Sequence, residues 1–194
     1  HDTEINSILY DYGFSPKFPN KVEEEANNIL EEISKDEINK RLDIRKTTTF
    51  TIDPKDAKDF DDAISVKKIN NGNWEVGVHI ADVSHYVREG GLIDKEAIKR
   101  ATSVYLVDRV IPMLPEILSN NICSLKPNVD RLAYSILFEM DGSANILDYT
   151  IKKTIIHSDV RFTYQTAQKT IDDKKGELVK ELLLLDKLSK ILRE

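Results

Sequence analysis

Residues 74–80 read WEVGVHI, a strict alternation that sets Trp74, Val76, Val78 and Ile80 on one face of an extended strand. The stretch before it is INNGN, and Asn71-Gly72 is the strongest short hairpin signal because both residues tolerate positive φ. Upstream of that turn, DAISVKKI alternates loosely, so the two segments predict an antiparallel hairpin. LAYSILFEM and NILDYTIKKTIIHS, joined by DGSAN, predict a second one, and TTTFTI is β-branched and aromatic enough for a further strand. Two hairpins commit the chain to a largely antiparallel sheet on which the remaining elements must pack.

Those remaining elements read as helices. Residues 1–46 are charged and helical in pattern, a lead-in or linker segment in which Asn20 is expected to cap NKVEEEANNILEEIS. Ile29, Leu30 and Ile33 give that segment only a thin apolar stripe. DKEAIKRATSVYL reads as a helix, and VIPMLPEILS as a proline-broken turn region. At the end, Leu178, Leu182, Leu185, Leu188 and Leu192 recur at helical spacing, and Val179, Leu183, Leu184 and Ile191 widen the stripe. A face that wide needs cover on more than one side, so residues 47–194 are expected to be part of a domain continuing past Glu194, with self-association as the alternative. The expected fold class is α+β, a mixed, largely antiparallel sheet with packed helices.

Composition narrows the function. With 34 acidic against 28 basic residues and a net charge of −6, the chain is a poor candidate for gripping nucleic acid by bulk electrostatics, although a local basic groove is compatible. No apolar run approaches the roughly 20 residues of a membrane span. HDTEINSILY has neither the basic start nor the apolar middle of a signal peptide, so a cytoplasmic location is expected. Cys123, the only cysteine, lacks any partner for a disulfide or a CxxC site and reads as a small buried apolar group.

The most unusual stretch is TIDPKDAKDFDD, in which Asp53, Asp56, Asp59, Asp61 and Asp62 face only Lys55 and Lys58. Close carboxylates raise one another's pKa unless a cation intervenes. An oxygen-only donor set without adjacent histidine or cysteine suits Mg²⁺ or Mn²⁺ better than zinc. An EF-hand count from Asp59 fails, since Ala63 and Ile64 stand where a ligand and a glycine are required. A second reading stays open beside the metal site: Asp53-Pro54-Lys55-Asp56 has the form of a helix N-cap, and the other acids suit a solvated turn.

TIDPKDAKDFDDAISV also resembles the catalytic signature of the ribonuclease II and ribonuclease R family of 3′-to-5′ exoribonucleases. The resemblance continues through WEVGVHIADVSHYV, ATSVYLVDRVIPMLP, LSNNICSLKPNVDRLAYS and HSDVRFTY, with ADVSHYV and TSVYL closer to the ribonuclease R branch. It implies the N-terminal part of that family's catalytic domain, without the flanking cold-shock and S1 RNA-binding domains or the later arginine-bearing segment that helps hold phosphates. It implies metal-dependent hydrolysis of RNA from a single-stranded 3′ end to nucleoside 5′-monophosphates, with the isolated chain weak or inactive. Magnesium, with manganese as substitute, would be held by Asp53, Asp59, Asp61 and Asp62, Asp61 being the residue most directly needed for cleavage and Asp56 a bystander. Tyr105 would stack on a base near the 3′ end. Against this stands a non-catalytic RNA-binding or scaffold module whose acids only cap and solvate. His79 and His85 read as hydrogen-bonded structural groups, Asp82 as a turn or supporting residue, and Arg131 and Arg161 as surface partners of the surplus acids.

Overall fold

The computed structural model describes residues 7, 9–69, 71–107 and 109–193. In chain order the strands are β1 (Leu42–Asp43), β2 (Thr49–Asp53), β3 (Asp62–Lys68), β4 (Trp74–Ala81), β5 (Val104–Tyr105), β6 (Val110–Ile111), β7 (Asp130–Met140), β8 (Ile146–His157) and β9 (Val160–Thr163). From Asn20 onward the α-helices are α1 (Asn20–Asn27), α2 (Lys35–Asn39), α3 (Val83–Tyr86), α4 (Leu92–Arg100), α5 (Tyr164–Asp173) and α6 (Val179–Ile191), and Leu118–Ile122 makes a π-helical turn. They form two compact units, one of Ile33–Asp82 with Cys123 onward, the other of the residues up to Glu32 with Val83–Ile122. Among the described residues no helix is long and apolar enough to cross a membrane.

The first unit is built on a seven-stranded sheet in the order β1-β8-β7-β4-β3-β2-β9. Both predicted hairpins are present as β3/β4 and β7/β8, antiparallel and joined to each other through β4 and β7. The outermost strands break the pattern, β1 running parallel to β8 and β9 parallel to β2, which makes the sheet mixed as expected. In the first hairpin's connection only Gly72 of the Asn-Gly pair takes positive φ, at 90°. Its amide donates to the Ile69 carbonyl at 3.0 Å, while the Asn71 side chain accepts from the Asn73 amide at 3.0 Å, a longer loop than a two-residue turn.

One apolar cluster joins Phe50, Phe162, Ala167 and Leu182, with the two phenylalanine rings edge to face at 5.7 Å. A second joins Val66, Val76, Met140 and Leu188, with Trp74, Phe138 and Leu184 against it. Leu185 of α6 touches both, so the leucine-rich helix lies across two strand groups and uses much of its broad face within this unit. Two expected stripe positions differ: Leu178 precedes the helix with φ 47°, and Leu192 is exposed.

On β4 the expected inner face is partly reversed. His79 is fully buried and Ala81 nearly so, whereas Ile80 is 49% exposed. Alternation located the two faces correctly, yet covering elements decide which one is sealed. The His79 face carries a polar chain across four strands. His79 Nδ1 lies 2.7 Å from Ser135 Oγ and Nε2 lies 2.9 Å from Ser65 Oγ, while Ser135 Oγ and Thr154 Oγ1 are 2.6 Å apart.

In the second unit, α1 is preceded by Pro19 and not capped by Asn20, because the proline sets the extended entry and Asn20 is already helical. That helix ends at Asn27, so Ile29, Leu30 and Ile33 form no helical stripe; Val22 and Ala26 are its buried residues. The helix expected across 94–106 stops at Arg100. Ala101 turns left-handed at φ 63°, and the Arg100 guanidinium stacks on Phe18 at 3.7 Å and donates to the carbonyls of Ser15 and Lys17. Of the helical reading of residues 3–12, positions 3–6 and 8 lie outside those described, while residues 7 and 9–11 are helical.

Candidate active site

The acids occupy the connection from β2 to β3. Asp53 ends β2 and Asp62 opens β3, while the ladder between these strands holds at Thr49↔Ser65 and Phe50↔Ile64. The chain between Asp53 and Asp62 is neither helix nor strand. It makes one turn, the Ala57 amide donating to Pro54 O at 3.1 Å, so no helix follows Asp53 for it to cap.

Local contacts hold this open connection. The Phe60 amide donates to Ser124 Oγ at 3.0 Å, the Ser124 hydroxyl donates to Lys58 O at 2.8 Å, and the Leu125 amide donates to Phe60 O at 2.9 Å. The Ala81 amide donates to Asp61 O at 2.9 Å. From β9, Arg161 Nη2 donates to Pro54 O at 2.6 Å and Lys55 O at 2.8 Å, with the guanidinium 5.4 Å from the Phe60 ring centroid. Arg161 thus holds backbone carbonyls of the connection, a role beyond the surface pairing expected of it. Arg131 is buried, its Nε donating to Ser124 O at 3.0 Å. A guanidinium bonded to backbone carbonyls leaves no spacing signature, which is why sequence reasoning missed both roles and missed Ser124.

Electrostatics couples the acids. Asp53 is 8% exposed, and its carboxyl is pushed up by burial and by the charges of Asp62 and Asp59, with the Thr51 hydroxyl and, less strongly, Arg161 opposing. Asp61 lies at the surface, but partial desolvation and then Asp59, Asp62 and Asp53 push its carboxyl up as well. Asp56 is exposed and is not among the charges acting on either group. Asp53 Oδ2 is buried without a hydrogen-bond partner, a costly state for a carboxylate unless a cation completes it. The donor set thus fits a hard ion in chemistry. Among the described residues, however, no three Asp, Glu, His or Cys side chains stand close enough to hold one as they are.

Tyr105 lies on β5, paired with Val110, and is 66% exposed; it sits in a strand and not at a helix end. Cys123 is buried, and burial pushes its thiol up to about 12, which suits an inert core group. His79 is the hydrogen-bonded structural group expected. Asp82 is a buried ion-pair partner, its Oδ2 2.7 Å from Arg41 Nη2.

The RNB domain profile matches residues 41–194. The chain belongs to the RNB domain family. Ribonuclease R of Thermotoga maritima is 48% identical over 192 residues, 96% of this chain and 27% of that protein. The solved RNase R of Mycoplasma genitalium in complex with ribose methylated single-stranded RNA superposes with a TM-score of 0.90 at 32% identity, over 98% of this chain and 30% of that one. Yeast Ssd1, described as a pseudonuclease, shares the RNB fold at TM-score 0.79 and 21% identity. The chain spans between 21% and 27% of the length of the first two curated relatives. The α+β architecture expected from the two hairpins is therefore that of an RNB protein, as the resemblance implied.

Proposed function

We propose that the chain forms part of the catalytic body of an exoribonuclease that hydrolyses RNA from a single-stranded 3′ end and releases nucleoside 5′-monophosphates. The observation that carries this reading is the buried, unpartnered Asp53 oxygen beside charges from Asp59, Asp61 and Asp62. Relatives named ribonuclease R, one of them solved with single-stranded RNA, support RNA as the substrate class.

Asp53, Asp59, Asp61 and Asp62 would hold magnesium, with manganese as substitute. When bound, the ion supplies an acidified water and a counter-charge for the leaving oxygen. Asp53, laddered to Thr163 of β9, gives the site one carboxylate on a rigid strand, and Asp62 gives a second from the start of β3. Asp61, whose carboxyl is pushed up by partial burial and then by its acidic neighbours, would be the residue on which the cleavage step depends most. Tyr105 offers an exposed ring for base stacking, worth roughly 1–3 kcal/mol per base and indifferent to sequence. The isolated chain is proposed to be weak or inactive, with cold-shock, S1 and further catalytic segments of the same polypeptide completing the RNA channel.

The test compares 5′-labelled RNA with matching DNA, and free with blocked 3′ ends, in the full-length protein with magnesium. Degradation restricted to RNA with a free 3′ end, and lost in Asp61→Asn, is expected; equal attack on DNA refutes the reading. A non-catalytic module is the second reading, favoured by the absence of a preassembled three-ligand group among the described residues. An Asp61→Asn protein with unchanged ion binding and unchanged activity would establish it.

A further inference from the structure

The acid-bearing connection owes little of its shape to the sheet, because its residues from Pro54 to Asp61 lie outside both strands. Arg161 reaches both ends of it. One nitrogen of its guanidinium serves the carbonyls of Pro54 and Lys55, immediately after Asp53. The same group lies against the ring of Phe60, immediately before Asp61. Its charge also opposes the rise that burial and neighbouring acids impose on Asp53. Arg161 itself is fixed by β9, where it pairs with Thr51 two residues before Asp53.

We infer that Arg161 is a positioning residue for the acid cluster: it sets the path of the connection so that the carboxylates at its two ends are presented together, without itself being a ligand. The inference rests on the reading of these acids as a cation site. It differs from a purely structural role because Arg161 bonds to the connection's carbonyls and sets its charge over the Phe60 ring, whereas the apolar cluster of Phe50, Phe162 and Leu182 packs apart from the connection. One cationic donor serves both carbonyls while the charge lies over the ring, a combination that methionine lacks altogether and glutamine lacks in its charge.

The experiment uses the 194-residue chain and three readouts: Mn²⁺ affinity from the paramagnetic resonance of free ion, hydrogen exchange of the amides between Lys55 and Asp61, and the thermal midpoint. Arg161→Met should lower Mn²⁺ affinity about ten- to a hundredfold, as loss of a group supporting metal ligands does. It should speed exchange in the connection while leaving exchange of the β7/β8 hairpin unchanged. Arg161→Lys, which keeps charge and a donor, should recover most of the affinity. If Arg161→Met does not fold, Arg161→Gln is read in its place. Parent-like affinity and parent-like exchange in the variant overturn the inference. If the parent chain takes up no Mn²⁺, the cation reading fails, and exchange in the variant alone decides whether Arg161 holds the connection.

Discussion

Arg41 and Asp82 meet at 2.7 Å with both side chains sealed from water. Arg41 Nε also bonds Glu37 Oε1 at 2.7 Å, and Nη1 approaches the carbonyls of Ala133 and Thr154 at 3.4 and 3.5 Å, which ties α2 to the sheet. Removing Asp82 takes from a buried guanidinium its fully buried counter-charge and leaves the more exposed Glu37. Asp82→Ala is expected to lower unfolding free energy by about 3–5 kcal/mol in urea titrations. The apolar double replacement Arg41→Met with Asp82→Leu should return most of that loss, since a well-packed pair avoids the desolvation of both charges.

His79 gives the fold a pH dependence of its own. Burial lowers its pKa to about 4, because the charged imidazolium would lose its hydration among the hydroxyls of Ser135 and Ser65. A histidine with a depressed folded value contributes stability in full above the ordinary value near 6.5, and loses it as pH falls toward 4. The total is roughly 3 kcal/mol at 1.36 kcal/mol per pH unit. Urea midpoints measured from pH 7 to pH 4 should fall accordingly, and His79→Gln should flatten that slope while lowering the plateau.

Gly77 stands where no larger residue fits. A Cβ there would lie 2.4 Å from Ser65 Oγ and 2.7 Å from the His79 ring, both held by buried hydrogen bonds. Gly77→Ala should cost about 1–3 kcal/mol by overpacking. A thermal melt equal to that of the parent would show that the polar chain can shift.

How much of this could be read in advance depends on the range of the interaction. The hairpins were legible because period-two alternation and a Gly-containing loop are local, and the acid cluster because like charge in one short stretch needs an explanation. The parallel edges β1 and β9 were not legible: β1 is two residues long, and both pair with strands remote in sequence. The reversal on β4 was hidden for a related reason, since the groups that meet His79 are Ser65 and Ser135 on other strands, with Thr154 beyond them. Arg100 likewise ended a helix whose pattern ran on, through carbonyls and a ring some 80 residues upstream.

The acids should make stability depend on metal. Asp53 and Asp61 have raised folded values, so their contribution is full below the ordinary carboxylate value of 3.8 and is lost as pH rises through the raised ones. At neutral pH their ionised forms work against the fold. Mn²⁺ at a hundred times its dissociation constant should therefore raise stability by about 2.7 kcal/mol at pH 7. The gain should vanish as the carboxyls protonate. Asp53→Asn and Asp61→Asn should melt higher than the parent without metal and gain little with it, as scanning calorimetry would show.

Besides Ala81, the grips on the acid connection come from Ser124, Leu125 and Arg161, which follow it by 64 to 107 residues along the chain. During synthesis the aspartates therefore leave the ribosome long before the segments that arrange them. Closing the site therefore waits on contacts of high sequence separation, the slow kind in folding.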